Sequence, residues 1–284
     1  MGHEVGAVLC DFFGLQYVKL ATNHPDIPSS EHTYLDPLID NGGAILASTV
    51  IWFVLTYISE LVSSRLFPEY NKLTFLERKD FDIRVVSVFH AFLTCFHIPL
   101  YMVSTSEDFD DFYGFHSDIS QYIIIGSLGY FIYDLIVSTR YDMGIAFQIH
   151  AVACLFVCYF ALYPFLHMQA GYFFGFFEIS TIFNHWRGCM ELLGKQGSPF
   201  HLIGAILFAI TFTIFRVVGG TYYSFRWLYG MYSVWAAGNA HSGFVYLYYA
   251  VANSTLMLLQ YFWFTLIVKA AYELLGGKKE DKKD

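Results

Sequence analysis

Two histidines and one aspartate stand where such side chains are costly. His90, Asp134 and His150 each fall inside a long apolar run of the 284-residue chain. An ionisable group in hydrocarbon normally faces the interior of a helix bundle and has a partner there. An imidazole beside a carboxylate can take and return a proton. His90, Asp134 and His150 are therefore the candidate functional cluster, because three ionisable groups in hydrocarbon are expensive to maintain.

Other polar residues recur at three, four and seven positions, the spacing of one helix face. Ser87, His90, Thr94 and His97 form one such stripe, Ser127, Tyr130 and Asp134 a second, and His150, Cys154 and Cys158 a third. Glu178, Thr181 and His185 make a fourth, and Asn253 with Gln260 a fifth. These faces are expected to converge on one polar cavity. His97, Glu178, His185, Arg216 and Asn253 are candidates for its polar core. Glu178 with Arg216 reads first as a structural ion pair. His3, His32, His116 and His201 fall in connecting segments and are set aside. Lys269 stands near a helix end, where lysines snorkel.

The elements that position these residues follow from hydropathy. Hydrophobic residues make up 56% of the chain, charged ones 14% and aromatics 20%. A spanning helix needs roughly 20 apolar residues. Candidate spans lie near 44–66, 85–103, 119–138, 144–163, 171–190, 200–218 and 245–270. The reading is an all-α integral membrane bundle of about seven transmembrane helices around a central lipid-accessible cavity. Residues 1–43 form an N-terminal segment, with an interfacial helix over Val5–Leu20 as one option. Residues 44–275 are the transmembrane domain and 276–284 a disordered charged tail. The Gly-, Tyr- and Trp-rich stretch 219–244 reads as an aromatic interfacial loop or half-helix.

Charge sets the orientation. Lys72, Arg78, Lys79 and Arg84 lie between the first two spans, and Arg140, Arg187, Lys195 and the lysine tail fall on the same side. Glu107, Asp108, Asp110, Asp111 and Asp118 lie on the other. The positive-inside rule then places the N-terminus outside the cell or in a lumen, read here as lumenal, and the C-terminus in the cytosol. By depth, His90, Asp134 and His150 fall in a cytosolic layer and Glu178 with Arg216 in a lumenal one.

Several chemistries are not supported. No basic stripe could track nucleic acid. No two histidines stand three or four apart on a helix, so no metal site is expected. No phosphate-cradling loop, GxSxG elbow or cleavable signal peptide is found. The five cysteines are scattered and read as reduced, packed thiols.

The motifs also resemble a family. Arg84-Val-Val-Ser-Val-Phe-His90-Ala91 and Gly129-Tyr-Phe-Ile-Tyr-Asp134-Leu are similar to the opening and third-helix motifs of the TRAM–LAG–CLN (TLC) homology domain. Glu178-Ile-Ser180 with Asn184 and Trp186, Phe215-Arg216-Val217, and Asn253 through Trp263 resemble its later motifs. Over residues 44–275 the chain looks closest to the short TLC-domain proteins and more distant from ceramide synthases. The resemblance implies a lipid-accessible helical bundle in the endoplasmic reticulum or a related endomembrane, and it adds Asp142, Ser180 and Asn184 to His97, Glu178, His185, Arg216 and Asn253 as the lipid-binding or structural polar core. Ceramide synthases use a His-His pair on the fourth helix with an acidic residue upstream. Here Asp142 is present but the pair reads Ile149-His150.

Two functions follow as expectations. The first is binding of a membrane lipid or fatty acyl chain within the bundle, in the service of lipid homeostasis. The alternative, implied by the resemblance to ceramide synthases, is an acyl-CoA-dependent lipid acyltransferase with His150 as the catalytic base or nucleophile, oriented by Asp134 and assisted by His90. Neither requires a tightly bound cofactor; acyl-CoA would be a substrate. The bilayer is the expected environment, and a homo-oligomer is compatible with the sequence.

Overall fold

A computed structural model describes residues 17–18, 35–98, 116–162, 171–238, 240 and 243–274. The acidic connector through Asp111, the lysine tail and most of the N-terminal segment lie outside the described residues; from Asp36 that segment already belongs to the first helix. Seven continuous helices account for nearly all of what is described. They are α1 (Asp36–Leu66), α2 (Phe75–Cys95), α3 (Asp118–Arg140), α4 (Ile145–Ala161), α5 (Gly171–Leu192), α6 (Pro199–Ala236) and α7 (Gly243–Leu274). A two-residue antiparallel bridge, Tyr17–Val18 with His116–Ser117, is the one strand pairing among the described residues. The chain is an all-α membrane bundle.

The outside of the bundle is oily. On α1, Leu46, Val50, Ile51, Val54 and Ile58 are exposed, and on α6 Phe200, Ile206, Ile214 and Val218. Water would not tolerate so continuous an apolar face, whereas lipid tails do. Four helices are long and apolar enough to cross a membrane: those over Asp40–Leu66, Gln121–Arg140, Pro199–Ala236 and Gly243–Glu273. α4 is apolar but short, at 17 residues. α2 spends its first half on Glu77, Arg78, Lys79, Asp80, Asp82 and Arg84.

Two expectations need correction. Of the two options for 219–244, a loop or a half-helix, residues 220–236 take neither as a separate element: they are helical and continue the preceding span, making one helix of 38 residues. At about 1.5 Å per residue it is about 57 Å long, well beyond a hydrocarbon core of about 30 Å. Its exposed face changes character midway. Aliphatic side chains give way to Tyr222, Phe225, Tyr229, Tyr232 and Trp235, the residue types that favour a membrane interface. Gly219 and Gly220 do not break the helix, because Phe212–Gly219 form a π-helical segment that keeps the backbone bonded. Gly220 is needed for a close approach: a Cβ there would come within 2.8 Å of Phe177.

The second correction concerns Asp142. It does not belong to α4 but to the tight turn before it, with φ of 49°, and its side chain is exposed. It takes no part in the polar core.

Local chemistry anchors the turns. Thr74 caps α2 in a capping box: its hydroxyl accepts from Glu77 N–H, and Glu77 Oε2 accepts from Thr74 N–H at 2.8 Å. The turn between α1 and α2 folds back over Asp82, fully buried, whose two oxygens accept from Ser59 and Tyr70 at 2.7 Å each. α1 and α3 meet at Gly129, where a Cβ would lie 2.8 Å from the Thr49 backbone nitrogen. Trp52 Nε1 donates to Gly126 O across the same seam at 2.9 Å.

Candidate functional site

The polar stripes do converge. His90 and Thr94 from α2, His150 and Cys154 from α4, Glu178 from α5, Arg216 from α6, and Asn253 with Gln260 from α7 line one partly enclosed cavity of about 80 Å³. Phe131, Phe173, Phe177, Trp227 and Tyr249 supply an aromatic wall.

Arg216 organises one side. It lies in the π-helical segment, which turns its side chain inward, and it is only 7% exposed. Its Nε donates to Phe177 O at 2.9 Å and to Ser180 Oγ at 2.8 Å. Nη1 reaches Gln260 Oε1 at 3.2 Å; Nη2 reaches Thr181 Oγ1 at 2.7 Å and Glu178 Oε1 at 3.4 Å. The rings of Phe177 and Phe212 flank the guanidinium at 5.5 and 5.6 Å. The Glu178–Arg216 pair expected from the sequence is thus formed, with Ser180 in the same network. It joins three helices, and so many acceptors offset much of the cost of burying a charge.

His90 sits opposite among rings. It stacks on Tyr130 at 3.8 Å with an interplanar angle of 5°, meets Trp52 and Phe131 edge-on, and shares a hydrogen bond with Ser127 at 3.2 Å. Tyr130 OH is in turn 2.8 Å from Ser87 Oγ. The α2 and α3 stripes therefore interlock directly.

His150 faces the cavity between Phe131 and Trp263, with ring centroids at 6.0 and 5.8 Å. Cys154 Sγ is 3.8 Å from Nδ1 and 3.7 Å from Nε2, nearly equidistant, so it is in line with neither N–H. The expected hydrogen bond from Asp134 to His150 is not formed. Asp134 is part-buried on α3 but does not line the cavity. Ile149 points outward, 41% exposed, one helix position from His150.

The division into cytosolic and lumenal layers is also corrected. His90 and His150 share the cavity with Glu178 and Arg216. Depth counted from helix ends fails because Arg216 lies midway along a 38-residue helix, not near an end. The remaining candidates separate. His97 is buried just past the C-terminal end of α2. Asn184 accepts from Arg187 at 3.2 Å, and His185 keeps a buried Nδ1 with no partner; both lie beyond the cavity. Asn253 is 6% exposed, lines the cavity, and its Oδ1 has no hydrogen-bond partner. Its burial also removes the Asn253-Ser-Thr sequon from any glycosylating enzyme. Trp227 and Tyr249 were not among the residues expected here. Trp227 comes from the stretch read as an interfacial loop or half-helix, and a reading of 220–236 as a continuation of the sixth span would have placed it on the inner face.

The TLC domain matches this chain over residues 80–269, two thirds of its length and all of the helices that build the cavity. The chain belongs to the TLC-domain family. A TLC domain-containing protein of Schizosaccharomyces pombe is 26% identical over 268 residues, covering 90% of each chain. TLC domain-containing protein 4 C of Dictyostelium discoideum is 26% identical over 240 residues, covering 79% of this chain and 85% of its own. TLC domain-containing protein 4-B of Xenopus laevis is 25% identical over 238 residues, with 82% and 89% covered. Membership of the TLC family supports a membrane lipid-related role.

Proposed function

We propose that this TLC-domain protein holds a lipid or fatty acyl chain in the cavity between its helices and acts in membrane lipid homeostasis. One observation carries the reading: a cavity with a hydrogen-bonding floor and an aromatic wall lies within a bundle whose outer surface is apolar. A lipid has the same division between head and tail, and the surrounding bilayer supplies it. Residence in the endoplasmic reticulum or a related endomembrane goes with the family. A cytosolic C-terminus is supported by Lys72, Lys79 and Lys195, which cluster at the turns on one end of the bundle. Native mass spectrometry of the purified protein tests the binding: an intact lipid retained at one equivalent supports it, and a lipid-free spectrum overturns it.

The alternative, an acyl-CoA-dependent acyltransferase using His150, has one observation in its favour, the exposure of that imidazole to the cavity. It lacks the carboxylate partner that a general base would use. Acyl-CoA turnover lost in His150→Ala would establish it; turnover absent in the parent protein would remove it.

A further inference from the structure

We propose that the cavity takes a single-chain lipid with a neutral hydroxyl head, bound at the Asn253 carboxamide, and discriminates against carboxylate and ammonium heads. This rests on the lipid-binding reading above and adds the chemistry of the head group.

The argument is a count of which polar atoms are already engaged. Arg216 looks like an anion site but its charge is already answered: Nε, Nη1 and Nη2 each donate to a protein acceptor, Glu178 among them. Glu178 faces Arg216, so the charged pair cancels and leaves the cavity no uncommitted ion. A carboxylate entering here would lose its water without gaining a free cation, and it would meet Glu178. An alkyl ammonium would find Glu178 already paired. Both would be buried charges without a counter-charge, the costly case.

Asn253 and Gln260 lie two helical turns apart on one face of α7, yet they differ. Gln260 is braced by Arg216. Asn253 is just as deeply placed, lines the cavity, and has an unpartnered Oδ1. A buried amide without a partner is rare, and calls for a ligand group. A carboxamide presents an acceptor and a donor side by side, and a hydroxyl is the small neutral group that answers either. His150, whose neighbours are rings and the Cys154 sulfur, offers a second hydrogen-bonding partner on the facing helix. Beyond Asn253, Phe173, Phe177, Trp227, Leu256 and Met257 form a wall suited to methylenes. A volume of about 80 Å³ accommodates part of one chain and not two.

The test is competition binding by native mass spectrometry on the full chain in detergent. The probes are hexadecanol, hexadecanoic acid, hexadecylamine and hexadecane. The expected order places the alcohol about tenfold ahead of the acid and the amine, the equivalent of one net hydrogen bond. Asn253→Leu should abolish that preference. Asn253→Asp keeps the shape and adds a charge, so it should invert the ranking of amine and alcohol, a gain that misfolding cannot mimic. Equal or tighter binding of the acid or the amine by the parent protein overturns the inference, as does an unchanged ranking in Asn253→Asp. Equal binding of all four overturns the head-group inference alone. Binding of none overturns the lipid-binding reading with it.

Discussion

Arg216 Nη1 lies 3.2 Å from Gln260 Oε1, so the π-helical turn of α6 is tied to the middle of α7 through a buried cation. The same guanidinium reaches Glu178, Ser180 and Thr181 on α5. Three helices that border the cavity are thus fixed relative to one another by one side chain.

Removing that side chain leaves Glu178 buried without its counter-charge. Arg216→Met is expected to destabilise the protein by about 3–5 kcal/mol, the cost of breaking one half of a buried pair. The double substitution Arg216→Met with Glu178→Leu should recover part of the loss, because no charge is then stranded. Thermal unfolding in detergent, followed by tryptophan fluorescence, reads both.

The His90–Tyr130 stack carries a hydrogen bond and a ring contact that can be separated. Tyr130→Phe keeps the ring at 3.8 Å from His90 and removes the bond to Ser87. It should cost about 1 kcal/mol. Tyr130→Ala also opens a void in a packed core and should cost about 3–5 kcal/mol, as other aromatic truncations do. A similar loss in both variants would mean that the ring contributes nothing.

Gly129 lets α1 and α3 touch. A methyl group there would collide with the Thr49 backbone, which cannot swing aside as a side chain can. Gly129→Ala should destabilise by about 1–3 kcal/mol despite the better helix propensity of alanine. An unchanged melting temperature would place the α1–α3 seam elsewhere.

Asp82 gives a pH dependence. It lies in the charged first half of α2, ahead of the apolar stretch, where burial pushes its carboxyl above the ordinary carboxylate range, against the lowering effect of the bonds from Tyr70 and Ser59. The folded state therefore binds this proton more tightly than the unfolded state does. Its contribution is fully present below the ordinary carboxylate value and is lost as pH rises through the raised one. Asp82→Asn should flatten that limb of the stability profile, measured as melting temperature against pH. An Asp82→Asn protein with the parent slope would assign the dependence to another group.

Much of this arrangement is legible in the sequence, for identifiable reasons. Periods of three and four placed His90, Thr94, His150, Glu178 and Asn253 on inward faces, because a polar side chain in an apolar helix has few other places to go. The Glu178–Arg216 pair followed from the same cost. Three features were hidden. The π-helical segment over Phe212–Gly219 is a backbone adjustment that has no compositional mark, so the glycines beside it read as a break. Relative depth could not be counted along helices that outrun the membrane. The partner of His150 depends on rotation and tilt about the α3 and α4 axes, which residue spacing does not contain; hence Asp134 reads as its partner in the sequence, although no hydrogen bond joins the two.

The central claim is that the cavity binds lipid, and native mass spectrometry on protein gently extracted from its own membrane tests it most directly. The account predicts a folded parent protein carrying one intact lipid, and an Asn253→Leu protein of equal thermal stability that retains markedly less of it. A parent protein that is folded and lipid-free, or a variant that holds its lipid as well as the parent does, would contradict it.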